Sequence, residues 1–272
     1  LLDQAARTVT ITAADVRSTN PNPELVTQMR ASFQVTGPLL ARFGQFDCAA
    51  PGGCQLGTRP VSVDIAGFQR MGATVALADG VFHAKADALY GQRIYLDYPS
   101  HTGTENLLMA ATLANGYTTI IHASREPEVI ALVQFLRSMG AEIHGEGTSV
   151  IGVQGRDHLF GTVARAIPDR IVSGTVAVAA AMTVGDVELL NVRPDHLEPV
   201  TAKLREMGVH ISETNRSVRV IGTENPSATD VQVMPFPGFP TDVQAPIGVM
   251  MTQAYGVSTI VERVYDGNMG YI

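Results

Sequence analysis

The ten residues Pro51-Gly52-Gly53-Cys54-Gln55-Leu56-Gly57-Thr58-Arg59-Pro60 place a lone thiol on a glycine-rich turn, five positions before an arginine. Glycines free the backbone for positive φ and for close approach to a ligand. A neighbouring arginine lowers a thiol's pKa and grips phosphate or carboxylate with its planar fork. A turn of this composition suits a site that holds an anion and moves a proton. The plainer account of a cysteine is a small buried hydrophobe whose reactivity is incidental, and the turn alone does not exclude it.

The chain that must position this turn has 272 residues, beyond the size at which one hydrophobic core usually stops growing, so two domains are expected. With 45% hydrophobic and 17% charged residues it has the composition of an ordinary globular protein. A net charge of -7 argues against nucleic acid or an anionic membrane as the main partner. An anionic small molecule stays open, because a few local arginines decide that. Cys48 and Cys54 have no nearby histidine or second cysteine pair to complete a zinc set, so no metal is expected. Such sparse cysteine usage suits a reducing cytoplasm. The most apolar run, Val176 to Val184, is far too short to span a bilayer, and the residues from Leu1 onward lack the basic start and cleavage site of a secretory signal. A start without Met and an ending at Gly270-Tyr271-Ile272 in mid-pattern lead to the expectation of a piece of a longer chain.

Internal periodicity supplies the positioning elements. GFQRMGATV, VQFLRSMGAEI and TAKLREMGVHI share an ending whose glycines, Gly72, Gly140 and Gly208, lie 68 residues apart both times. Each follows an amphipathic run and precedes alternating apolar residues, which predicts a helix capped by glycine and leading into a strand. A second signature interleaves with it around Gly116, Gly185 and Gly256, with an earlier copy ending at Gly44. Here a Ser, Thr or Asp opens an alanine- and methionine-rich helix as an N-cap, and the lack of a polar face predicts burial. Short strands are expected at positions such as Arg93 to Leu96, Ser149 to Val153 and Val218 to Ile221. The result is an α/β (α+β) architecture of units of about 70 residues, with sheets packed over inner helices. The domain boundary is placed at Ile167-Pro168-Asp169-Arg170, after the strand-like Gly161 to Ala166 and before a helix opening at Ser173, which gives domains 1–167 and 168–272.

The runs Met29-Arg30-Ala31-Ser32, Gly37 to Gly44, Pro51 to Pro60, Arg125-Glu126-Pro127-Glu128, Pro168-Asp169-Arg170 and Phe239 to Ala245 together resemble the UDP-N-acetylglucosamine 1-carboxyvinyltransferases, over essentially the whole chain. These are enolpyruvyl transferases that begin peptidoglycan precursor synthesis. The cysteine loop is the most specific match, since the related shikimate-pathway synthase does not carry it. The resemblance implies a pair of inside-out α/β barrels, each of three repeats, closing over the substrates, so six units are expected and this chain would lack both ends. It implies no cofactor, and two substrates: phosphoenolpyruvate and UDP-N-acetylglucosamine. It leaves the oligomeric state open.

On this resemblance Cys54 matches the proton donor to the methylene carbon of phosphoenolpyruvate, the position at which the family is alkylated by fosfomycin. Asp242 matches the residue that contacts the sugar 3'-hydroxyl and is the candidate base, although Thr241-Asp242 also reads as a helix N-cap. Arg30 stands where the family reaches its anionic substrates, near a helix start whose amides favour phosphate. Arg59, Pro60, Val61, Ser62 and Val63, with Tyr98, Pro99, Ser100 and His101, match segments that wrap the uridine and diphosphate, and Val264 matches a further contact to the nucleotide sugar. His101 in a loop also reads as a solvated polar residue, and Arg125 to Glu128 as a charged helix start with an early proline.

The chain departs from the family at Ser62, where an acidic residue is usual, at Ser100-His101-Thr102-Gly103-Thr104, and at Asp266-Gly267-Asn268-Met269, which removes an arginine. The Ser62 and Asn268 departures motivate one alternative, an enolpyruvyl transferase with another acceptor such as shikimate 3-phosphate, and the expected missing ends motivate a second, a catalytically silent fragment that binds a nucleotide sugar.

Overall fold

The computed structural model describes residues 1–52, 61–265 and 267–272. A hairpin of β1 (Leu2–Asp3) and β2 (Thr8–Val9) leads to α1 (Pro23–Gln28), a 3-10 turn (Arg30–Val35), α2 (Thr36–Phe43) and β3 (Gln45–Ala49). Then come α3 (Ser62–Arg70), β4 (Thr74–Ala78), β5 (Val81–Lys85), β6 (Arg93–Tyr95), α4 (His101–Ala111), β7 (Tyr117–Ile121), α5 (Pro127–Ser138), β8 (Glu142–His144) and β9 (Val150–Gln154). The chain continues with α6 (Arg170–Met182), β10 (Asp186–Leu190), α7 (Pro194–Glu206), β11 (His210–Glu213) and β12 (Ser217–Ile221). It closes with β13 (Val231–Val233), a second 3-10 turn (Thr241–Val243), α8 (Gln244–Met251) and β14 (Ile260–Glu262).

The period seen in the sequence is a repeated helix end. Gly72, Gly140 and Gly208 take φ of +104°, +99° and +88°, which side chains with a Cβ rarely adopt. In each, the glycine N–H bonds two carbonyls back from the cap, to Gln69, Arg137 and Arg205, and the next N–H reaches Phe68, Leu136 and Leu204. This paired closure satisfies carbonyls the helix would leave open, and the buried residue after each glycine packs where the chain turns into β4, β8 or β11. The three helix–strand–helix–strand–strand units then share one antiparallel order, the first strand beside the third and the third beside the second: β3-β5-β4, β7-β9-β8 and β10-β12-β11. β6 adds in parallel to the free edge of β7, and β13 pairs in parallel with β14.

The inner helices cross closely. α4 packs against α2, α3 and α5, and a Cβ on Gly37 would stand 2.4 Å from the Asn106 carbonyl oxygen, so only glycine permits that approach of α2 to α4. One buried hydrophobic cluster runs from Val26 to Val153 and a separate one from Ala177 to Met251.

Four expectations are corrected. Residues 155–169 form no strand, because among the described residues Gly161 to Ala166 pair with no neighbouring edge. The N-caps are Ser100 for α4 and, earlier than the helix opening expected at Ser173, Asp169 for α6, which accepts from the amides of Ile171 and Val172. α2 and α8 grow out of 3-10 turns and have no side-chain cap, so Asp242 is not one. α6 and α8 are only half covered, with Val172, Val176, Met182 and Val249 exposed, since an apolar helix surface records what it prefers to touch and not what is there to touch. Among the described residues no helix is long and apolar enough to cross a membrane.

Candidate functional site

The segments carrying Arg30, Val61 to Val63 and His101 converge. Phe33 anchors the first 3-10 turn in the core through edge-on contacts with Phe46 and Phe82, at ring separations of 6.3 and 5.6 Å. That anchoring brings Arg30, at the start of the turn, to a small cavity lined also by Phe33, Gln34, Val61, Asp64 and Thr102. The starts of α3 and α4 meet there, and Val63 packs against Gly103 so closely that a Cβ on the glycine would stand 2.7 Å from a Val63 methyl.

Beneath this floor lies a buried polar network. The Asn106 amide donates to Asp64 Oδ1 at 2.7 Å and Thr36 Oγ1 at 3.0 Å, while its oxygen accepts from the Gly37 N–H at 2.7 Å. Asp64 is almost wholly buried, and desolvation raises its pKa despite the opposing pull of the Asn106 hydrogen bond and the Arg30 charge. Ser100 fixes the first turn of α4 by accepting from the Gly103 N–H at 3.1 Å. His101 is not a free loop residue: it begins α4, and its Nε2 lies 3.1 Å from Glu105, whose other oxygen accepts from Gln34. Burial alone would lower the His101 pKa, but the Glu105 hydrogen bond and the charges of Glu105, Glu126 and Glu128 outweigh it and the net shift is upward.

A second group forms around the 3-10 turn Thr241–Val243. Asp242 is exposed there, and the half-buried Val264 sits just past β14. Glu262 ties the segments that carry them: one oxygen accepts from the Val264 N–H at 2.6 Å, the other from the hydroxyl of Thr241, next to Asp242, at 2.9 Å. Tyr98 faces the same group from the other side of the chain. Burial, with Tyr265, Glu126 and Glu262 nearby, pushes its pKa up to about 12. Pro99, half-buried, joins Tyr98 to the Ser100 cap.

Between the two groups, Arg170 bonds Glu126 at 2.6 Å and Glu128 at 3.1 Å, with its guanidinium over the Phe236 ring at 5.6 Å. Glu126 also accepts from the Phe236 N–H at 3.1 Å. The charged start of α5 is therefore more than a helix start. The runs Arg125 to Glu128 and Pro168 to Arg170 stand out in the sequence, yet nothing there says that they meet. Glu262 carries no sequence signal at all.

Cys54, Arg59 and Pro60 lie outside the described residues. Cys48, on β3, is the small buried hydrophobe of the plainer account: it is fully buried, and burial pushes its thiol up to about 11. Among the described residues no group of three or more His, Cys, Asp or Glu side chains is placed to hold a metal ion.

This arrangement of repeated units defines the class. An enolpyruvyl transferase, NikO from Streptomyces tendae, superposes with a TM-score of 0.86 at 23% identity, over 100% of this chain and 65% of that one. An EPSP synthase from Acinetobacter baumannii gives 0.58 at 20% identity, over 85% and 54%. The fold is thus the mixed α/β fold of the enolpyruvyl transferases. The chain belongs to the EPSP synthase (3-phosphoshikimate 1-carboxyvinyltransferase) family, whose model matches residues 2–268. Among curated relatives, UDP-N-acetylglucosamine 1-carboxyvinyltransferase 1 of Caldanaerobacter subterraneus subsp. tengcongensis is 46% identical over 258 residues, covering 95% of this chain and 62% of the relative. The UDP-N-acetylglucosamine 1-carboxyvinyltransferase of Halothermothrix orenii is 43% identical over 264 residues, covering 97% and 64%. The chain spans less than two thirds of the length of either relative.

Proposed function

We propose that this chain carries the cysteine loop and acceptor site of a cytoplasmic enzyme that transfers the enolpyruvyl group of phosphoenolpyruvate to the 3'-hydroxyl of UDP-N-acetylglucosamine, with release of phosphate, in peptidoglycan precursor synthesis. The observation that carries this reading is the 43–46% identity to relatives of that name, against 20% to the EPSP synthase of known structure. The family description by itself would admit shikimate 3-phosphate as acceptor.

In the proposed reaction the 3'-hydroxyl oxygen adds to the enol carbon, Asp242 takes its proton, and the Cys54 thiol protonates the methylene carbon. Phosphate then leaves as that carbon gives a proton back and the double bond re-forms. A thiol suits this task because nearby arginines bring its pKa toward the working pH, so that it both donates and recovers a proton. Arg30 binds anionic oxygens beside Val61 and Thr102. Arg59 to Val63 and Tyr98 to His101 hold the nucleotide diphosphate, and Val264 contacts the nucleotide sugar. Two separate hydrophobic clusters support a division into domains 1–167 and 168–272, with the acceptor between them.

Phosphate release from phosphoenolpyruvate should require UDP-N-acetylglucosamine. Equal release without the sugar, or with shikimate 3-phosphate in its place, overturns the reading. Calorimetric binding of the nucleotide sugar without turnover would identify a silent binding fragment.

A further inference from the structure

We propose that Glu262 is a positioning residue of the acceptor site, a role that rests on the function proposed above. Its two carboxylate oxygens do different jobs. One accepts from the backbone N–H groups of Val264 and Tyr265, at 2.6 and 3.2 Å, and so sets the turn that presents Val264. The other accepts from Thr241 Oγ1 at 2.9 Å, Gln244 Nε2 at 3.0 Å and Asn268 Nδ2 at 3.4 Å, and so sets the 3-10 turn that presents Asp242. Asn268 Nδ2 also donates to Thr241 Oγ1 at 2.9 Å, closing a ring of polar contacts around the carboxylate.

Gln244 shows which partner dominates. It is fully buried, and among the described residues its Oε1 accepts no hydrogen bond. Turning the amide over would set that oxygen against the Glu262 carboxylate and take the NH2 group away from Glu262 and from Met269 Sδ, to which it donates at 3.0 and 3.2 Å. The amide orientation is therefore imposed by Glu262, and an orphan acceptor is tolerated to keep it. Five donors converge on this one carboxylate and so hold both turns in one arrangement. What it clamps together is the candidate base and the candidate nucleotide-sugar contact, which lie 22 residues apart in the chain. A catalytic group displaced by even about 1 Å loses much of its rate advantage, so such a clamp acts on turnover without touching substrate.

Glu262→Gln tests this, since it keeps the shape and turns one acceptor into a donor aimed at other donors. In the full chain, with rates expressed per folded molecule from active-site titration, kcat should fall at least 10-fold and the KM for UDP-N-acetylglucosamine rise several-fold. The KM for phosphoenolpyruvate should change less than twofold. Thr241→Val, which removes one donor, should move the same constants in the same directions by a smaller factor. Because Glu262 acts through Asp242, Asp242→Asn combined with Glu262→Gln should be no slower than Asp242→Asn alone. Unchanged kcat and KM per folded molecule with a lowered Tm would overturn the proposal and leave Glu262 a structural residue. Independent, multiplying losses in the double variant would also overturn it. Calorimetry separates this failure from failure of the functional reading: a parent protein that does not bind UDP-N-acetylglucosamine refutes the reading, whereas equal binding by parent and Glu262→Gln refutes the clamp.

Discussion

Asn106→Leu measures how far the floor of the candidate site depends on one amide. The substitution keeps the approximate volume and removes every polar atom. It strands the Gly37 N–H, which now donates to Asn106 Oδ1 at 2.7 Å, and takes from the Asp64 carboxyl the Nδ2 donor at 2.7 Å, leaving that carboxyl a backbone N–H and the Arg30 charge. Thr36 is less affected, because its hydroxyl still donates to the Phe33 carbonyl at 2.7 Å. The N–H left unpaired costs ~1–3 kcal/mol and the hydrogen bond lost by the carboxyl ~1.5–3 kcal/mol, so together they cost about 3–5 kcal/mol. A fully buried leucine returns ~1 kcal/mol or more of that through its extra methyl groups, leaving a net loss of about 3 kcal/mol. For a body of this size that is roughly 6–12 °C in Tm, read by calorimetry. The start of α4 should loosen with it, so affinity for UDP-N-acetylglucosamine should weaken together with stability. A Tm within ~2 °C of the parent would refute the reasoning, because a shift that small corresponds to no more than about 1 kcal/mol and so to a network already supplied by water.

Three further outcomes follow from other parts of the site. Asp64 has a raised pKa, so the folded protein retains a proton that the unfolded chain releases near pH ~4, and its contribution to stability is full below that point and declines as pH rises toward the folded value. Asp64→Asn should therefore flatten stability against pH in that window without loss at neutral pH, and a denaturation series with the parent's slope would contradict it. Arg170→Met strands two carboxylates of which one, on Glu126, is only 12% exposed, and should cost about 2–4 kcal/mol, with part recovered in Arg170→Met/Glu126→Gln; strict additivity in that cycle would show that the pair is not coupled. Iodoacetamide at neutral pH should add a single label, removed by Cys54→Asp, because Cys48 is fully buried with its thiol at about 11, and mass spectrometry finding label on Cys48 in folded protein would contradict this.

The parts of this molecule that are legible in the sequence are those whose physics is local. A glycine that must take φ near +90° cannot be disguised, so Gly72, Gly140 and Gly208 announce three helix ends and, by their spacing, three units. The apolar strand between them needs only a neighbouring edge, and the units supply it in one order each time. Legibility fails where the answer depends on what a segment meets. Thr241-Asp242 has the composition of an N-cap, but the chain enters α8 through a 3-10 turn, and Thr241 spends its hydroxyl on Glu262 instead of on a helix amide. Gly161 to Ala166 alternates like a strand and joins no edge among the described residues.

The same distinction separates reacting residues from those that hold them. Cys54, Arg30 and Asp242 are noticed because thiols, guanidinium groups and carboxylates in such runs are chemically loaded. The groups that orient them look ordinary: Asn106 lies inside an apolar helix, Glu262 at the end of a short strand, and Arg170 at the start of a helix 42 residues beyond Glu128. Their importance comes from partners remote in sequence, at separations of 69 residues for Asn106 and Gly37 and 44 for Arg170 and Glu126. The Asn106–Gly37 and Arg170–Glu126 partnerships each span a boundary between units, where the local rules that build a unit say nothing, whereas Glu262 gathers its donors from the one stretch after β12. A repeat fold thus builds its scaffold from short-range signals and places much of its site at contacts between copies, so substitutions at those contacts should lower stability and substrate affinity together.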